Sequence, residues 1–339
     1  MDFIVGTYAP DHGHTFVAEG FGKIYALRSL PASSSLCVFD GHTLAPLGEY
    51  PTPGEHSCHI TLLAHQAVLA DYTSGTLSVF DLTAEGLPVG TPTVIPFEGH
   101  GLHPIRQQGP HIHSSVLSLD GSTLLVIDLG CDKIYRFAVK EGRLAPACVG
   151  TMHLPDGSGP RCALFGTDKN LLYVVTELSD EVLVCRWDGQ DELTVLQRHC
   201  FNPSHPGGGG QIALSPDGRF LYASSRVMGT AGEGRCSYPD GVAVFQVEND
   251  GMLSPLTYQI TGGHPRHFSL SADGTLLLVA CRDSDVIQVF SRDASTGELH
   301  LYPKTYTVPK PVYVAERKEH KGQPASSFQF NCVFAETVE

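Results

Sequence analysis

Ten polar or ionisable side chains recur at regular steps along this 339-residue sequence and interrupt otherwise apolar runs. Five of them lie at the start of the first predicted strand in successive repeats, at steps of 54, 48, 50 and 55 residues: His59, His113, Arg161, Gln211 and Arg266. Five more end the following strand, 12 to 16 residues later: Asp71, Asp128, Glu177, Arg226 and Arg282. Arginine binds carboxylates and phosphates through paired hydrogen bonds, whereas His, Asp and Glu transfer protons. The sequence therefore predicts a site that binds a small anion and performs acid–base chemistry.

Eight of these ten positions and one neighbour, His111, divide into two groups of candidates. The candidate catalytic residues are His113, Arg161 and Glu177. The candidate substrate-binding residues are Arg226, Arg266, Arg282, Asp128, His111 and Gln211. An alternative interpretation is a structural network, in which the arginines pair with Glu177 or Asp128 and fill a channel.

A repeating unit positions these side chains. Four similar segments each contain an Asp in a turn between two β-rich runs, at Asp120, Asp168, Asp217 and Asp273, with steps of 48, 49 and 56 residues. Asp-Gly and related turns between β-branched and aromatic runs are typical of hairpins. Each unit contains four such runs, and a four-stranded unit of this length is typical of a β-propeller blade.

The predicted fold is all-β: a seven-bladed β-propeller of four-stranded antiparallel blades, forming a single domain over residues 1–339. Units begin near residues 57, 111, 160, 209 and 264, and a weaker one covers 14–50. Phe3–Tyr8 and Pro311–Phe334 are each too short for a blade, so we expect them to join as the seventh and close the ring. Six or eight blades are the alternatives. Residues 228–241 form a Gly- and Pro-rich insertion.

Composition excludes several classes of protein and partner. A net charge of −14 disfavours nucleic acid and anionic membranes as partners, and no apolar run is long enough to span a bilayer. The ten cysteines form no C-x-x-C pair, so we expect reduced thiols and a cytosolic protein. Neither His264 and His267 nor the glycine run 207–210 fits a metal or phosphate-loop motif, so no metal or cofactor is expected.

Several motifs in order resemble the seven-bladed propeller lactonase family. They are Gly109–Ser114, Gly159–Arg161, Thr176–Ser179, Ser215–Arg226 and Gly263–Phe268. That family includes propeller-type 6-phosphogluconolactonases and 3-carboxy-cis,cis-muconate cyclase. The resemblance covers about residues 55–292 and implies a metal-free site at the channel mouth, with His113, Arg161 and Glu177 as its residues and Arg226 and Arg266 beside them. The chain departs from the family pattern at Cys162, near Arg282, in its short first blade and in the insertion.

The function that this resemblance implies is hydrolysis of a small anionic sugar lactone. Glu177 or His113 would activate water, Arg161 would stabilise the oxyanion, and Arg226, Arg266 or Arg282 would bind the phosphate or carboxylate. Two alternatives remain open at this point: lactonisation of a carboxylated muconate by the same residues, and a non-catalytic binding scaffold. The oligomeric state is not predicted.

Overall fold

The computed structural model describes residues 2–7, 13–30, 33–168, 170–201, 208–226, 239–316 and 327–334. Twenty-eight strands and one single-turn 3-10 helix (Arg282–Ser284) make up the secondary structure of these residues. The prediction of an all-β chain is therefore confirmed. Over the same residues, no helix is long and apolar enough to cross a membrane.

The strands form seven sheets, of which six are antiparallel and are called blades A to F in chain order. The first strand of the chain, β1 (Asp2–Thr7), lies outside these six. Blade A contains β2 (His14–Gly20), β3 (Lys23–Leu30), β4 (Ser33–Asp40) and β5 (Pro46–Thr52), and blade B contains β6 (Ser57–Leu62), β7 (Gln66–Asp71), β8 (Thr76–Leu82) and β9 (Pro88–Pro96). Blade C contains β10 (Ile112–Leu117), β11 (Thr123–Asp128), β12 (Lys133–Lys140) and β13 (Arg143–His153), and blade D contains β14 (Pro160–Phe165), β15 (Leu171–Thr176), β16 (Glu181–Trp187) and β17 (Leu193–Cys200). Blade E contains β18 (Gly209–Leu214), β19 (Phe220–Ser225), β20 (Gly241–Val247) and β21 (Leu253–Ile260). Blade F contains β22 (Pro265–Leu270), β23 (Leu276–Cys281) and β24 (Val286–Arg292), with β25 (Leu299–Leu301) and β26 (Tyr306–Thr307) sharing its outer edge.

The seventh sheet, called the terminal sheet, combines the two ends of the chain. It contains β1, β27 (Pro311–Glu316) and β28 (Ser327–Phe334). Strand β28 pairs in antiparallel with β27 and in parallel with β1, which comes from the opposite end of the chain. Five blades thus confirm the predicted four-stranded antiparallel pattern, and blade F keeps it with its fourth position divided between β25 and β26. The terminal sheet departs from it with three strands and one parallel pair. Most of the predicted insertion, residues 228–238, lies outside the described residues.

The aspartates that mark the repeat fix the hairpin turns of the blades. In blade C, Oδ1 of Asp120 accepts hydrogen bonds from the Ser118 hydroxyl at 2.6 Å and from the Ser122 backbone N–H at 3.0 Å. Asp217 and Asp273 make the corresponding contacts in blades E and F. A short carboxylate that bonds its own following backbone is the usual reason for Asp in such turns. The repeat seen in the sequence is therefore a repeat of turn chemistry.

Hydrophobic side chains pack between neighbouring sheets all along the series. Six buried clusters join A to B, B to C, C to D, D to E, E to F and F to the terminal sheet. A seventh cluster joins Val312 of the terminal sheet to Val17, Ile24 and Ala26 of blade A. Each blade buries both faces in this way, which a single four-stranded sheet cannot do alone.

The first strand of each blade, and β27 in the terminal sheet, carries a β-bulge near its beginning; these seven are called the first strands. The first strands β2, β6, β10, β14, β18, β22 and β27 also contact one another in that order, and β27 contacts β2. In each strand the pairing register skips just after the first residue, for example between Pro160 and Cys162 or between Ile112 and Ser114. A bulge adds one unpaired residue and re-aims its side chain. The bulged residues, including His113, Arg161 and Arg266, therefore come together where the first strands begin.

Candidate active site

A cleft lies where the bulges of the first strands meet. It has about 360 Å³ of empty space, including the part that opens to solvent. Its lining residues come from all the blades and from β27: Thr15, Phe16, Cys58, His59, His113, Arg161, Cys162, Gln211, Arg266, His267 and Val312. The cleft therefore brings together five of the candidates on the first strands.

The bulges correct the register assumed for the five residues that were predicted to begin the first strands. In blades C, D and F the unpaired residue is His113, Arg161 and Arg266, respectively. In blade B that position is Cys58, and His59 is the next residue, paired with Ala70. Gln211 is likewise the second of two residues in the blade E bulge. The predicted set thus mixes two adjacent positions, both of which line the cleft because the bulge turns them the same way.

The five residues that were predicted to end the second strands also fall at two adjacent positions rather than one. Asp71 and Asp128 are the last residues of β7 and β11. Glu177, Arg226 and Arg282 instead follow the last residue of their strands, and their backbone N–H groups donate to the carbonyls of Gly159, Gly208 and His264 at 2.7 to 3.0 Å. In blade B the residue with the same backbone contact is Tyr72, which donates to the His56 carbonyl. Sequence spacing alone cannot detect this shift of one residue.

Asp128 lies outside the cleft and stabilises a turn. It is fully buried, and its carboxylate accepts hydrogen bonds from the backbone of His111 at 2.8 Å, the backbone of Gly130 at 2.9 Å and the Tyr135 hydroxyl at 3.2 Å. Burial raises its pKa. Asp71 is buried in a similar way among the hydroxyls of Ser57, Thr76 and Ser78. The structure does not bring either carboxylate into the cleft lining.

Glu177 is the charged centre of the site. Its Oε2 accepts from Nε of Arg161 at 3.1 Å and from Nη2 of Arg226 at 2.9 Å, and its Oε1 accepts from Nη2 of Arg106 at 2.5 Å. Burial alone would raise its pKa, but the charges of Arg226, Arg161 and Arg106 hold that pKa well below its usual value. Glu177 is therefore ionised, and both of its carboxylate oxygens already accept hydrogen bonds from arginines.

Arg161 and Arg226 differ in how many of their nitrogens remain available. Arg226 uses all three: Nε and Nη2 donate to the carbonyls of Gly208 and Gly209, Nη2 also contacts Glu177, and Nη1 lies 3.3 Å from Nε2 of His264. Arg161 donates through Nε to Glu177 and through Nη1 to the Gly210 carbonyl at 2.8 Å. Within the described part of the chain, Nη2 of Arg161 has no partner. That nitrogen can therefore donate to a ligand.

Arg266 has a free guanidinium that lines the cleft. Among the described residues it makes no hydrogen bond and no ion pair with the protein. Burial and the charges of Arg161, Arg226 and Arg282 lower its pKa to about 9. Like charges this close together are costly in the absence of a counter-ion. A ligand with negative charge would relieve this repulsion.

The histidines that line the cleft are neutral bases. Burial and the charge of Arg161 lower the pKa of His113 well below its usual value, despite the opposing effect of Glu177. Its Nδ1 is buried with no partner in the part of the chain that the structure describes. The same causes lower the pKa of His59 to about 4 and that of His267 to about 3. In that part of the chain, no three His, Cys, Asp or Glu side chains are grouped to hold a metal ion.

The remaining candidates lie around the cleft rather than at its centre. Gln211 lines the cleft, with Nε2 3.3 Å from Nε2 of His267. His111 stacks on the Tyr72 ring at 4.4 Å, and its Nδ1 lies 2.9 Å from the Tyr72 carbonyl. Arg282 begins the 3-10 helix, is partly exposed and pairs with Asp283 at 2.7 Å. These three residues are near the site, but His111 and Arg282 do not line the cleft.

Sequence reasoning missed two residues of the site, Arg106 and Tyr72. Tyr72 directly follows Asp71. It would have been found if the position predicted at the end of the second strand had been placed one residue later. Arg106 lies in the long connection between β9 and β10, outside every repeated strand, so no periodic signal points to it. Its contact with Glu177 spans 71 residues of sequence.

Comparison with known proteins identifies similar chains. A family model described as "Lactonase, 7-bladed beta-propeller" matches residues 16–316. The 6-phosphogluconolactonase of Bacillus subtilis is 30% identical over 305 residues, covering 88% of this chain and 81% of that protein. The 6-phosphogluconolactonase of Formosa agariphila is 30% identical over 263 residues, covering 75% of this chain and 72% of that protein.

Solved structures agree with these matches. A crystal structure from Bacteroides fragilis superposes with a TM-score of 0.76 at 34% identity, covering 86% of this chain and 83% of that one. The periplasmic gluconolactonase of Pseudomonas aeruginosa superposes with a TM-score of 0.73 at 26% identity, covering 88% and 86%. The similarity thus extends over nearly the whole described fold.

Proposed function

The chain belongs to the seven-bladed β-propeller lactonase family, and from that premise we propose that it hydrolyses a small anionic sugar lactone such as a phosphogluconolactone. One observation carries this proposal: the unpaired guanidinium of Arg266, the free Nη2 of Arg161 and the neutral ring of His113 line one cleft. An anionic group, a carbonyl oxygen and a water molecule each have a suitable partner there.

In this proposal Arg266 binds the phosphate or carboxylate of the substrate. Its guanidinium is not held by protein acceptors in the described residues, and three neighbouring arginines add to the positive potential around it. Arg226 contributes charge rather than direct contact, because its nitrogens are already bonded to Glu177 and to backbone carbonyls. The protein as a whole is acidic, so this local positive field is what attracts an anionic lactone.

His113 acts as the general base. A water molecule attacks the lactone carbonyl carbon and gives its proton to the neutral imidazole, while Nη2 of Arg161 donates to the resulting oxyanion. The ring C–O bond then breaks, and the imidazolium returns the proton to the leaving alkoxide. Glu177 is unsuited to the role of base because its oxygens accept from three arginines. Its part is to orient Arg161 and to balance the charge of the cluster.

We also propose that the terminal sheet is the seventh blade and closes the ring, so that the chain is one propeller domain. The support is that β27 packs against blade F through Val314 and against blade A through Val312. A closed ring leaves no exposed sheet edge between the first and last blades. The cytosolic location remains a prediction. Neither the muconate reaction nor the scaffold gains a specific observation in its favour.

The proposed function is tested by hydrolysis assays with Arg161→Ala. The wild type should release acid from 6-phosphogluconolactone, and the variant should lose about 100-fold or more in kcat, as expected for removal of an oxyanion donor. The control is Arg143→Ala, which removes an exposed arginine paired with Asp81 on the outer surface and should keep full activity. Full turnover by Arg161→Ala would contradict the assigned role, and no hydrolysis by the wild type would contradict the function.

A further inference from the structure

Arg106 reaches the site from a loop rather than from a blade. It lies in the connection between β9 of blade B and β10 of blade C, called the 97–111 loop. Its Nη2 donates to Oε1 of Glu177 at 2.5 Å and to the Tyr72 hydroxyl at 3.0 Å. Tyr72 and Glu177 occupy the same register in blades B and D, and the residue in that register of blade C is the apolar Leu129. The loop therefore supplies a cation where blade C has none.

The base of this loop is fixed to the blade. Gln107 is buried, donates through Nε2 to the Leu129 carbonyl at 2.8 Å, and accepts the His103 backbone N–H at 2.9 Å. Nδ1 of His103 in turn accepts the backbone N–H groups of Ile105 and Arg106. The backbone at Arg106 is thus held by its own loop, and the side chain is presented toward Glu177 from a defined position.

Among the three arginines bound to Glu177, Arg106 is the one whose contact can be exchanged. Arg161 and Arg226 share Oε2, are 8% and 2% exposed, and are also held by backbone carbonyls. Arg106 alone binds Oε1, has a side chain that is 29% exposed, and has only the Tyr72 hydroxyl as a second acceptor. If Arg106 left, Arg161 and Arg226 would still neutralise the buried carboxylate. The exchange would therefore not leave Glu177 without a counter-charge.

We propose that Arg106 is a specificity-determining residue, which exchanges its ion pair with Glu177 for the anionic group of the substrate and shares that group with Arg266. This inference rests on the proposed function and extends it. An arginine that is solvent-accessible, already desolvated on one side and held on a fixed loop forms bidentate contacts with phosphate at low cost in conformational entropy. The Tyr72 hydroxyl remains to position the guanidinium while the contact changes.

The test compares two lactones, of which only one carries a phosphate group. Arg106→Gln should raise KM for 6-phosphogluconolactone about tenfold or more with little change in kcat, and it should leave hydrolysis of uncharged gluconolactone unchanged. Leu102→Ala, on the exposed side of the same loop, is the matched control and should change neither substrate. If Arg106 only positions Glu177, kcat should fall equally for both lactones, and that result would overturn the proposal.

A binding measurement separates this inference from the proposed function. Inorganic phosphate is titrated calorimetrically into the wild type and into Arg106→Gln, with no lactone present. We expect at least tenfold weaker binding by the variant, and Arg106→Lys should recover part of the affinity because it retains the charge. Equal binding by the wild type and Arg106→Gln, or no binding by the wild type, would overturn the role of Arg106. Absence of lactone hydrolysis by the wild type would instead reject the proposed function.

Discussion

At the scale of single residues, the site is a cluster of positive charge organised around one carboxylate. Glu177 balances three arginines, and Arg266 lies beside them without a partner in the described residues. The same field keeps the nearby imidazoles neutral, because a proton on any of them would add to the repulsion. The arginines therefore create a positive field that can attract an anion, and they keep the His113 ring unprotonated.

The neutral histidines should make stability fall in acid. Burial and Arg161 lower the pKa of His267 from 6.5 to about 3, so between these values the unfolded state binds a proton that the folded state does not. This contribution to the free energy of unfolding is therefore highest above pH 6.5. It decreases as the pH falls from 6.5 toward about 3, by about 1.4 kcal/mol per pH unit. His267→Asn should therefore show a free energy of unfolding that depends less on pH by about that slope.

Urea unfolding at several pH values between neutral and mildly acidic measures this slope. The control is His300→Asn, which replaces an exposed histidine on the outer strand β25 and should retain the pH dependence of the wild type. Identical slopes for His267→Asn and the wild type would show that His267 titrates normally in the folded protein.

At the scale of elements, the β-bulge decides which side chains enter the cleft. A regular strand turns alternate residues to opposite faces, whereas the bulge lets Arg161 and Cys162 both line the cavity. Bulges also bring backbones of adjacent blades into close contact. Gly209 begins β18, and its carbonyl accepts Nη2 of Arg226 at 3.1 Å. A side chain at this glycine would collide with the Thr176 carbonyl of blade D.

Gly209→Ala should therefore destabilise the contact between blades D and E. We expect a loss of about 1–3 kcal/mol in the free energy of unfolding, because backbone rather than a flexible side chain must move. The matched control is Gly109→Ala, where an added Cβ would meet nothing within 4 Å. Chemical denaturation of both variants measures the difference. Equal stability of the two variants would show that the blades separate more easily than this contact implies.

Sequence reasoning predicted the blades well because each hairpin turn depends on a local contact, such as Asp120 with Ser118 and Ser122. It also selected His113, Arg161 and Arg266, which interrupt apolar runs. It placed His59 and Gln211 at the wrong position by one residue, since a bulge changes the pairing between strands without changing the spacing of residues along the sequence. It missed Arg106, because a loop contact depends on three-dimensional position rather than on periodicity.

At the scale of the whole molecule, stability depends on packing between sheets rather than within them. Seven buried clusters follow one another between neighbouring sheets, and the terminal sheet takes part in two of them. Val314 is fully buried against Leu278 and Ala280 of blade F. If the terminal sheet closes the ring, loss of this contact weakens every blade together, because each is supported by its neighbours.

Val314→Ala should lower the midpoint of a single unfolding transition by an amount that corresponds to about 2 kcal/mol. Val89→Ala, in an exposed part of the outer strand β9, should have an effect within about 0.5 kcal/mol. Thermal and denaturant unfolding followed by circular dichroism measure both. A separate early transition in Val314→Ala, with the main midpoint unchanged, would show that the terminal sheet unfolds independently of the other six.

The bulges have a consequence for how this protein can acquire new substrates. The bulge is a feature of backbone pairing, so exchanging the side chain at such a position leaves the ladder on either side intact. Cys58 and Thr15 occupy bulges and face the cleft, yet they carry no charge. They are therefore natural starting points for directed evolution: single codon changes there would add one functional group at a time to a scaffold whose proposed catalytic residues remain in place.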